Sequence, residues 1–281
     1  MGREYRTLKV YKCALSRPLQ AHLGLDLDVE VIQIFFRGLY KVRPPCRTIP
    51  VEADWPLEAV LIFLKGEPFE PLSHASDTNV LLKTLLLVLL ASGRRSSEIA
   101  NLSGVVLREG DRVWLRWRSA FRAKWDSERF VPECPSIERL QSEVLGSELL
   151  CPVRVLDVWL ARKASAGFSL PVRTDYLWPF PQGRLDRMFK QLLESFFVRT
   201  GITRPSRLGM HTFRKLAATL SALLVTSGED KKRLASRMGV SSYGTLVGHY
   251  IFGAPSLNFP VVVPLGVLHP RVAAPHDDVD T

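Results

Sequence analysis

The chain has 281 residues, with 38 Lys and Arg against 28 Asp and Glu, giving a formal net charge of +10 and a pI of about 9.7. Its hydrophobic fraction of 46% excludes a disordered chain and allows one large packed domain or two smaller ones. The basic balance points to a polyanionic partner, of which nucleic acid is the usual one; a merely basic soluble protein is the alternative.

Cys13, Cys46, Cys134 and Cys151 form no Cys-x-x-Cys pair and have no nearby His at metal-ligand spacing, so reduced thiols of an intracellular protein are expected. The charged start MGREYRTLKVYK lacks the apolar core of a signal peptide. The apolar run Leu85–Ala91 is far below the roughly 20 residues that span a bilayer.

In chain order, a first helix is predicted over residues 3–17, stopped by Pro18. Arg3, Arg6, Lys9 and Lys12 recur on it every third position as a basic stripe. Such a stripe is either a solvated face or a helix that lies along DNA phosphates. A second helix fits Val29–Tyr40, ended by Arg43-Pro44-Pro45, and a third fits Pro56–Leu64. A linker follows at 66–76. Asp77 is the expected N-cap of a Leu-rich core helix to Ser92, closed by Gly93. A short helix over Ser97–Leu102 comes next. Strands are predicted at Val105–Leu107, Val113–Trp117 and Arg129–Val131, with Lys124 on or beside a hairpin loop. Helices then fit a start at Cys151-Pro152-Val153, Leu185–Val198, His211–Leu224, 229–237 and 243–251. The fold class is therefore mainly α with one small antiparallel β-sheet (α+β). The tail from Ser256 to Thr281 is expected to fray apart from the apolar patch Phe259–Val263, a candidate dock on a neighbouring copy.

Four pieces in the larger part stand in a fixed order. Ser92-Gly93-Arg94-Arg95-Ser96-Ser97-Glu98 comes first and the hairpin with Lys124 second. Met210-His211-Thr212-Phe213-Arg214 is third, and Met238-Gly239-Val240-Ser241-Ser242 leads to His249-Tyr250. Arginine, lysine, His-x-x-Arg and a late tyrosine in this order resemble the catalytic series of tyrosine recombinases, the phage-integrase family. The likeness runs over residues 77–253 and more loosely over 1–65. In the latter, Arg43-Pro44-Pro45, Trp55 and Val60-Leu61-Ile62-Phe63-Leu64 are similar to the core-binding domain of recombinases from DIRS-type retroelements. The resemblance implies a helical core-binding domain (1–66), a recombinase catalytic domain (77–255) and a C-terminal tail (256–281).

A phosphodiester cut without metal needs a nucleophile, cations on the non-bridging oxygens, a base, and an acid for the leaving oxygen. The resemblance supplies each. Tyr250 matches the nucleophile, with Tyr243 as rival. Arg95 and Arg214 match the two arginines, whose planar forks grip phosphate oxygens; Arg94 competes with Arg95, although the spacing to Gly93 and Glu98 favours Arg95. His211 lies three residues before Arg214 and so on the same helical face, as acid–base group. Lys124 resembles the hairpin lysine that protonates the leaving 5′-oxygen, with Arg118, Arg122 and Arg129 crowding the same region. Arg3, Arg6, Lys9, Lys12 and Arg122 are candidate DNA contacts.

The pattern departs in two places. The family's second His, or its Trp replacement, falls on Val240, and its usual tyrosine spacing falls on His249. The function expected is site-specific recombination or integration of double-stranded DNA through a 3′-phosphotyrosyl link. The resemblance implies a homotetramer on DNA that needs no cofactor or metal, and a nuclear location if the source is a eukaryotic mobile element. A catalytically impaired DNA-binding relative and a type IB topoisomerase-like nickase are the alternatives.

Overall fold

The computed structural model describes residues 5–42, 55–122, 134–141, 144–206, 208–240, 242–251, 257 and 260–268, without the side chains of Arg6 and His249. The chain divides into two units, Met1–Ile49 and Pro50–Thr281. The fold is mainly α with small antiparallel sheets.

The smaller unit pairs helix α1 (Tyr5–Leu23) with helix α2 (Glu30–Val42). Helix α1 continues through Pro18, where the sequence predicts a stop. A proline inside a helix withdraws one hydrogen bond from the carbonyl four residues earlier. Here that residue, Ala14, is exposed, so solvent can satisfy the carbonyl. The helix ends instead at Gly24, whose positive φ of 63° lets its N–H reach the Gln20 carbonyl at 3.2 Å. The Tyr5 ring meets Phe36 (6.0 Å) and Tyr40 (5.3 Å) edge-on. Lys12 pairs with Asp28, while Lys9 is exposed. No residue of α2 is buried.

The larger unit is built around α4 (Asp77–Ser92), which is buried on every side from Val80 to Ser92. Ser76 rather than Asp77 caps it, accepting from the Asn79 N–H at 3.2 Å. Asp77 instead holds Arg162 at 3.0 Å and accepts from Ser169. Gly93 closes α4 with φ +60°. A Cβ there would lie 2.2 Å from the Met238 sulfur, so only glycine fits. Helices α6 (Pro152–Lys163) and α8 (Met210–Ala222) pack on α4.

Helix α3 (Leu57–Leu64) belongs to this larger unit, although the sequence groups it with the N-terminal helices. Its Leu57, Val60, Leu61 and Leu64 are all buried in the same core as α4. The Phe63 ring meets Phe69 (5.2 Å) and Phe196 (5.3 Å). Burial of that apolar face, worth roughly 2 kcal/mol per large side chain, draws the boundary ahead of it.

Strands β1 (Leu102–Glu109), β2 (Arg112–Trp117) and β3 (Ser136–Glu138) form an antiparallel sheet in that order. Glu109 pairs with Arg112 and Val113 with Ile137. The strand expected at 129–131 lies outside the described residues. Helices α7 (Gln182–Thr200), α9 (Gly228–Arg237) and α10 (Tyr243–His249) follow the predicted order.

A second hairpin, β4 (Val261–Val263) with β5 (Gly266–Leu268), stands at 260–268, where the sequence reading expects a frayed tail with a patch for a neighbour; residues 269–281 lie outside the described residues. Val261, Val262 and Val263 are buried in the chain's own core, where β4 packs on α4 and α8. Arg237 reaches the Pro264 carbonyl across the turn. Three adjacent valines bury both faces of a strand when it is covered on both sides, and here the chain covers itself. Among the described residues no helix is long and apolar enough to cross a membrane.

Candidate active site

Helix α8 begins at Gly209, and its first two turns place His211 and Arg214 on one face. Arg214 is fully buried. One guanidinium nitrogen donates to the Gly93 carbonyl at 2.9 Å and another to the Met238 carbonyl at 2.8 Å. The guanidinium also lies 4.7 Å from the centre of the Tyr250 ring. Burial, and then the neighbouring Arg95 cation, hold the Arg214 pKa below its ordinary value; Tyr250 and Glu98 act the other way.

Arg95 stands just before α5 (Ser96–Ala100). Glu98 accepts from the Arg95 backbone N–H at 3.3 Å and from its guanidinium at 2.7 Å. The same guanidinium donates to the Gly239 carbonyl at 3.0 Å. Only 16% of the Arg95 side chain is exposed. Arg94, its rival, is wholly buried, 3.9 Å from Glu98 and 5.2 Å from the centre of the Trp117 ring. The two arginines thus share Glu98 and divide between an inner and an outer position.

The segment 238–240 is the template for these cations. Its consecutive carbonyls hold Arg214 and Arg95. Gly239 turns the chain with φ +60°, and a Cβ on it would sit 2.5 Å from an Arg94 nitrogen. Val240 is 3% exposed and packs with Ala218, Leu234, Ala235, Met238 and Leu246, with Tyr250 against that cluster. The position where the resemblance expects a His or Trp is therefore an apolar brace under the loop.

Tyr250 follows α10, its N–H bonded to the Leu246 carbonyl at 2.7 Å. Thr219 of α8 donates to the Tyr250 carbonyl at 3.1 Å, fixing where the ring emerges. The exposed His211 ring lies 5.8 Å from the Tyr250 ring, centre to centre. Tyr243, the rival tyrosine, sits at the start of α10 with Lys231 at 5.7 Å from its ring centre. His211 and Thr212 also line a groove of about 560 Å³ with Ser96, Gln182, Lys190 and Arg204.

Of the residues named from sequence, the structure gathers Arg95, His211, Arg214 and Tyr250 around one loop. Lys124 and Arg3 lie outside the described residues, as do the side chains of Arg6 and His249. Arg122 is exposed beyond β2, 3.4 Å from the Ser119 carbonyl. Thr219 and the Met238 and Gly239 carbonyls carry no sequence signal as site members; Gly239 alone marks the turn.

Chemically, the arrangement offers a phenol ring beside one buried guanidinium, a second guanidinium at the rim, and an imidazole beside the phenol. These groups are of the types that supply a nucleophile, cations for phosphate oxygens and a base; the acid for the leaving oxygen, expected at Lys124, lies outside the described residues. No protein-family model matches the sequence, and no curated protein matches it. Among solved structures, the chain is similar to the XerH site-specific recombinase bound to difH substrate in a pre-cleavage complex. Identity is 14% and the TM-score 0.47, over 86% of this chain and 67% of that one. It is also similar to XerA recombinase, at 15% identity and TM-score 0.45 over 89% and 78% of the two chains. The post-cleavage XerH complex with a palindromic difH substrate gives 16% identity and TM-score 0.47 over 83% and 67%. All three of these solved structures are recombinases.

Proposed function

We propose that this chain breaks and rejoins double-stranded DNA with Tyr250 as nucleophile. The observation that carries the reading is the Arg214 guanidinium 4.7 Å from the centre of the Tyr250 ring, a guanidinium itself anchored to two backbone carbonyls. The phenol oxygen attacks a backbone phosphorus, and the bond from phosphorus to the 5′-oxygen breaks. A 3′-phosphotyrosyl link and a free 5′-hydroxyl result. His211 takes the phenol proton, and Lys124 is the proposed donor to the leaving oxygen. Attack by a 5′-hydroxyl of a partner strand reverses the step, so the bond energy stays in the protein link. Arg95 and Arg214 bind the non-bridging oxygens, where their charge counts most in the transition state. Action as a homotetramer in recombination or integration, an origin in a mobile element and a nuclear location belong to the same proposal.

The test is covalent capture. Protein is incubated with nicked duplex DNA and denatured, and a protein–DNA adduct is sought. An adduct present in the wild type and absent in Tyr250→Phe supports the reading; an adduct that survives Tyr250→Phe sinks it. Arg214→Ala is expected to lower adduct formation by about 10²–10³-fold.

A second reading is favoured by Val240, which places a buried apolar side chain where the resemblance expects a phosphate donor. In that reading the chain binds DNA without cutting it. Salt-sensitive DNA binding with no adduct on any duplex would select it.

A further inference from the structure

A second concentration of positive charge lies at the other end of α5 from Arg95. Tyr176 bridges to Ser103 of β1, and two guanidinium carbons approach its ring centre, Arg118 at 3.8 Å and Arg173 at 3.5 Å. Arg118 also donates to the Tyr176 hydroxyl, and Lys163 donates to the Tyr176 carbonyl. The three cations are half-buried. Among the described residues none of the three forms an ion pair, and the carboxylate that acts on one of them is Asp175, whose charge partly offsets that of Lys163. One Arg173 nitrogen is buried with no acceptor. Arg108, Arg112, Arg139, Arg154, Arg162 and Arg204 each meet a carboxylate, whereas Arg184 and Arg199 each lie over a single ring, Phe180 or Phe63.

Packing two guanidiniums on one ring is favourable for each alone and repulsive between them. They are no further apart than their two distances to the ring centre together. Such an arrangement is stabilised by an anion that accepts from both forks, and phosphate suits planar forks best. The cluster is also joined to the candidate active site: Arg94 lies over Trp117, and Trp117 directly precedes Arg118.

We propose that Arg118, Arg173 and Lys163, gathered on Tyr176, hold a backbone phosphate of the DNA at a point away from the reacting phosphate. This rests on the strand-exchange reading and adds a positioning site to it. The site grips backbone without reading bases.

The test measures duplex binding by the full chain between about 50 and 200 mM salt. For Arg173→Gln and Arg118→Gln the slope of log K against log salt is expected to become shallower, by up to about 1 in each. Arg108→Gln removes the same charge from an arginine paired to Asp157 at 2.5 Å and is expected to leave the slope unchanged. Adduct yield is expected to stay at the wild-type level in Arg108→Gln. A wild-type slope in both Tyr176-cluster variants overturns the proposal while leaving the strand-exchange reading intact. Salt-independent binding by the wild type itself overturns both. As a check that needs no variant, wild-type protein is treated with an arginine-selective dicarbonyl with and without DNA. Protection of Arg118 and Arg173, but not Arg108, supports the site; equal modification overturns it. Protection by inorganic phosphate and none by DNA would place a free anion there and overturn the DNA assignment.

Discussion

At Gly239 a single hydrogen atom separates two requirements. The backbone must turn with φ +60°, and the Arg94 guanidinium must lie where a Cβ would point. Gly239→Ala is expected to cost about 1–2 kcal/mol from the left-handed conformation alone. Displacement of Arg94 and Arg95 should add to that, read as a lower urea midpoint and a lower adduct yield. Val240 gives the opposite lesson. Restoring the histidine that the resemblance calls for would bury an imidazole among Ala218, Leu234 and Leu246. Val240→His is therefore expected to destabilise the chain by about 1–3 kcal/mol and not to raise adduct yield. A rise in yield at unchanged stability would show that the side chain turns outward to the phosphate. The site was partly legible for a physical reason. Spacing of three residues places His211 and Arg214 together on any helix, and a Glu three after Arg95 caps the helix that follows. The Gly93, Met238 and Gly239 carbonyls that orient the two cations are backbone atoms every sequence has, so nothing in the residue types announces them.

Helix α4 shows what an element can hide. Its leucines predict a core helix, and Lys83 and Thr84 are polar residues in the middle of it. Both are buried. Thr84 returns its hydroxyl to the Val80 carbonyl at 2.7 Å. Lys83 donates to the Leu64 carbonyl at 2.7 Å and to Glu70 at 2.5 Å, and Arg154 completes the group at 2.9 Å from Glu70. The partners are distant in sequence, so no local pattern forecasts them. Burial lowers the Lys83 pKa from 10.5 to about 8, against the opposing pull of Glu70. Burial pushes the Glu70 carboxyl up, but Arg154 and Lys83 together hold it below its ordinary value. The two have different consequences for stability. Glu70 contributes stability above the ordinary carboxylate range, and this is lost as pH falls through its lowered folded value. For Lys83, the unfolded chain keeps a proton between about pH 8 and 10.5 that the folded chain has released. Stability from this group therefore rises with pH in that window. Urea unfolding of wild type and Lys83→Met should show wild type gaining on the variant from pH 8 to 10.5. A constant difference across the window would mean that Lys83 keeps its ordinary pKa.

On the scale of the whole molecule, the two units differ in how they account for their apolar surface. The unit from Pro50 owns a continuous core that runs from Trp55, whose ring meets Phe213 at 5.3 Å, through α4 to the closing valines of β4. Among its described residues the unit up to Ile49 has two helices, and no residue of the second is fully buried; Val31 and Val42 are 73% and 79% exposed. A segment of this size rarely supplies enough core to fold by itself, and short isolated helices are marginal in water. The sequence made the helices of the smaller unit legible, because period and caps are local. It misplaced α3, because ownership of a helix is decided by which core receives its face. Residues 50–281 expressed alone are therefore expected to unfold cooperatively with a midpoint close to that of the full chain. Residues 1–49 alone are expected to give weak helical circular dichroism with no cooperative transition. A cooperative melt of 1–49 would show that the contacts of Tyr5 with Phe36 and Tyr40 suffice as a core. A large drop in midpoint for 50–281 would mean that the core built on α4 is stabilised by the N-terminal unit and is not self-sufficient.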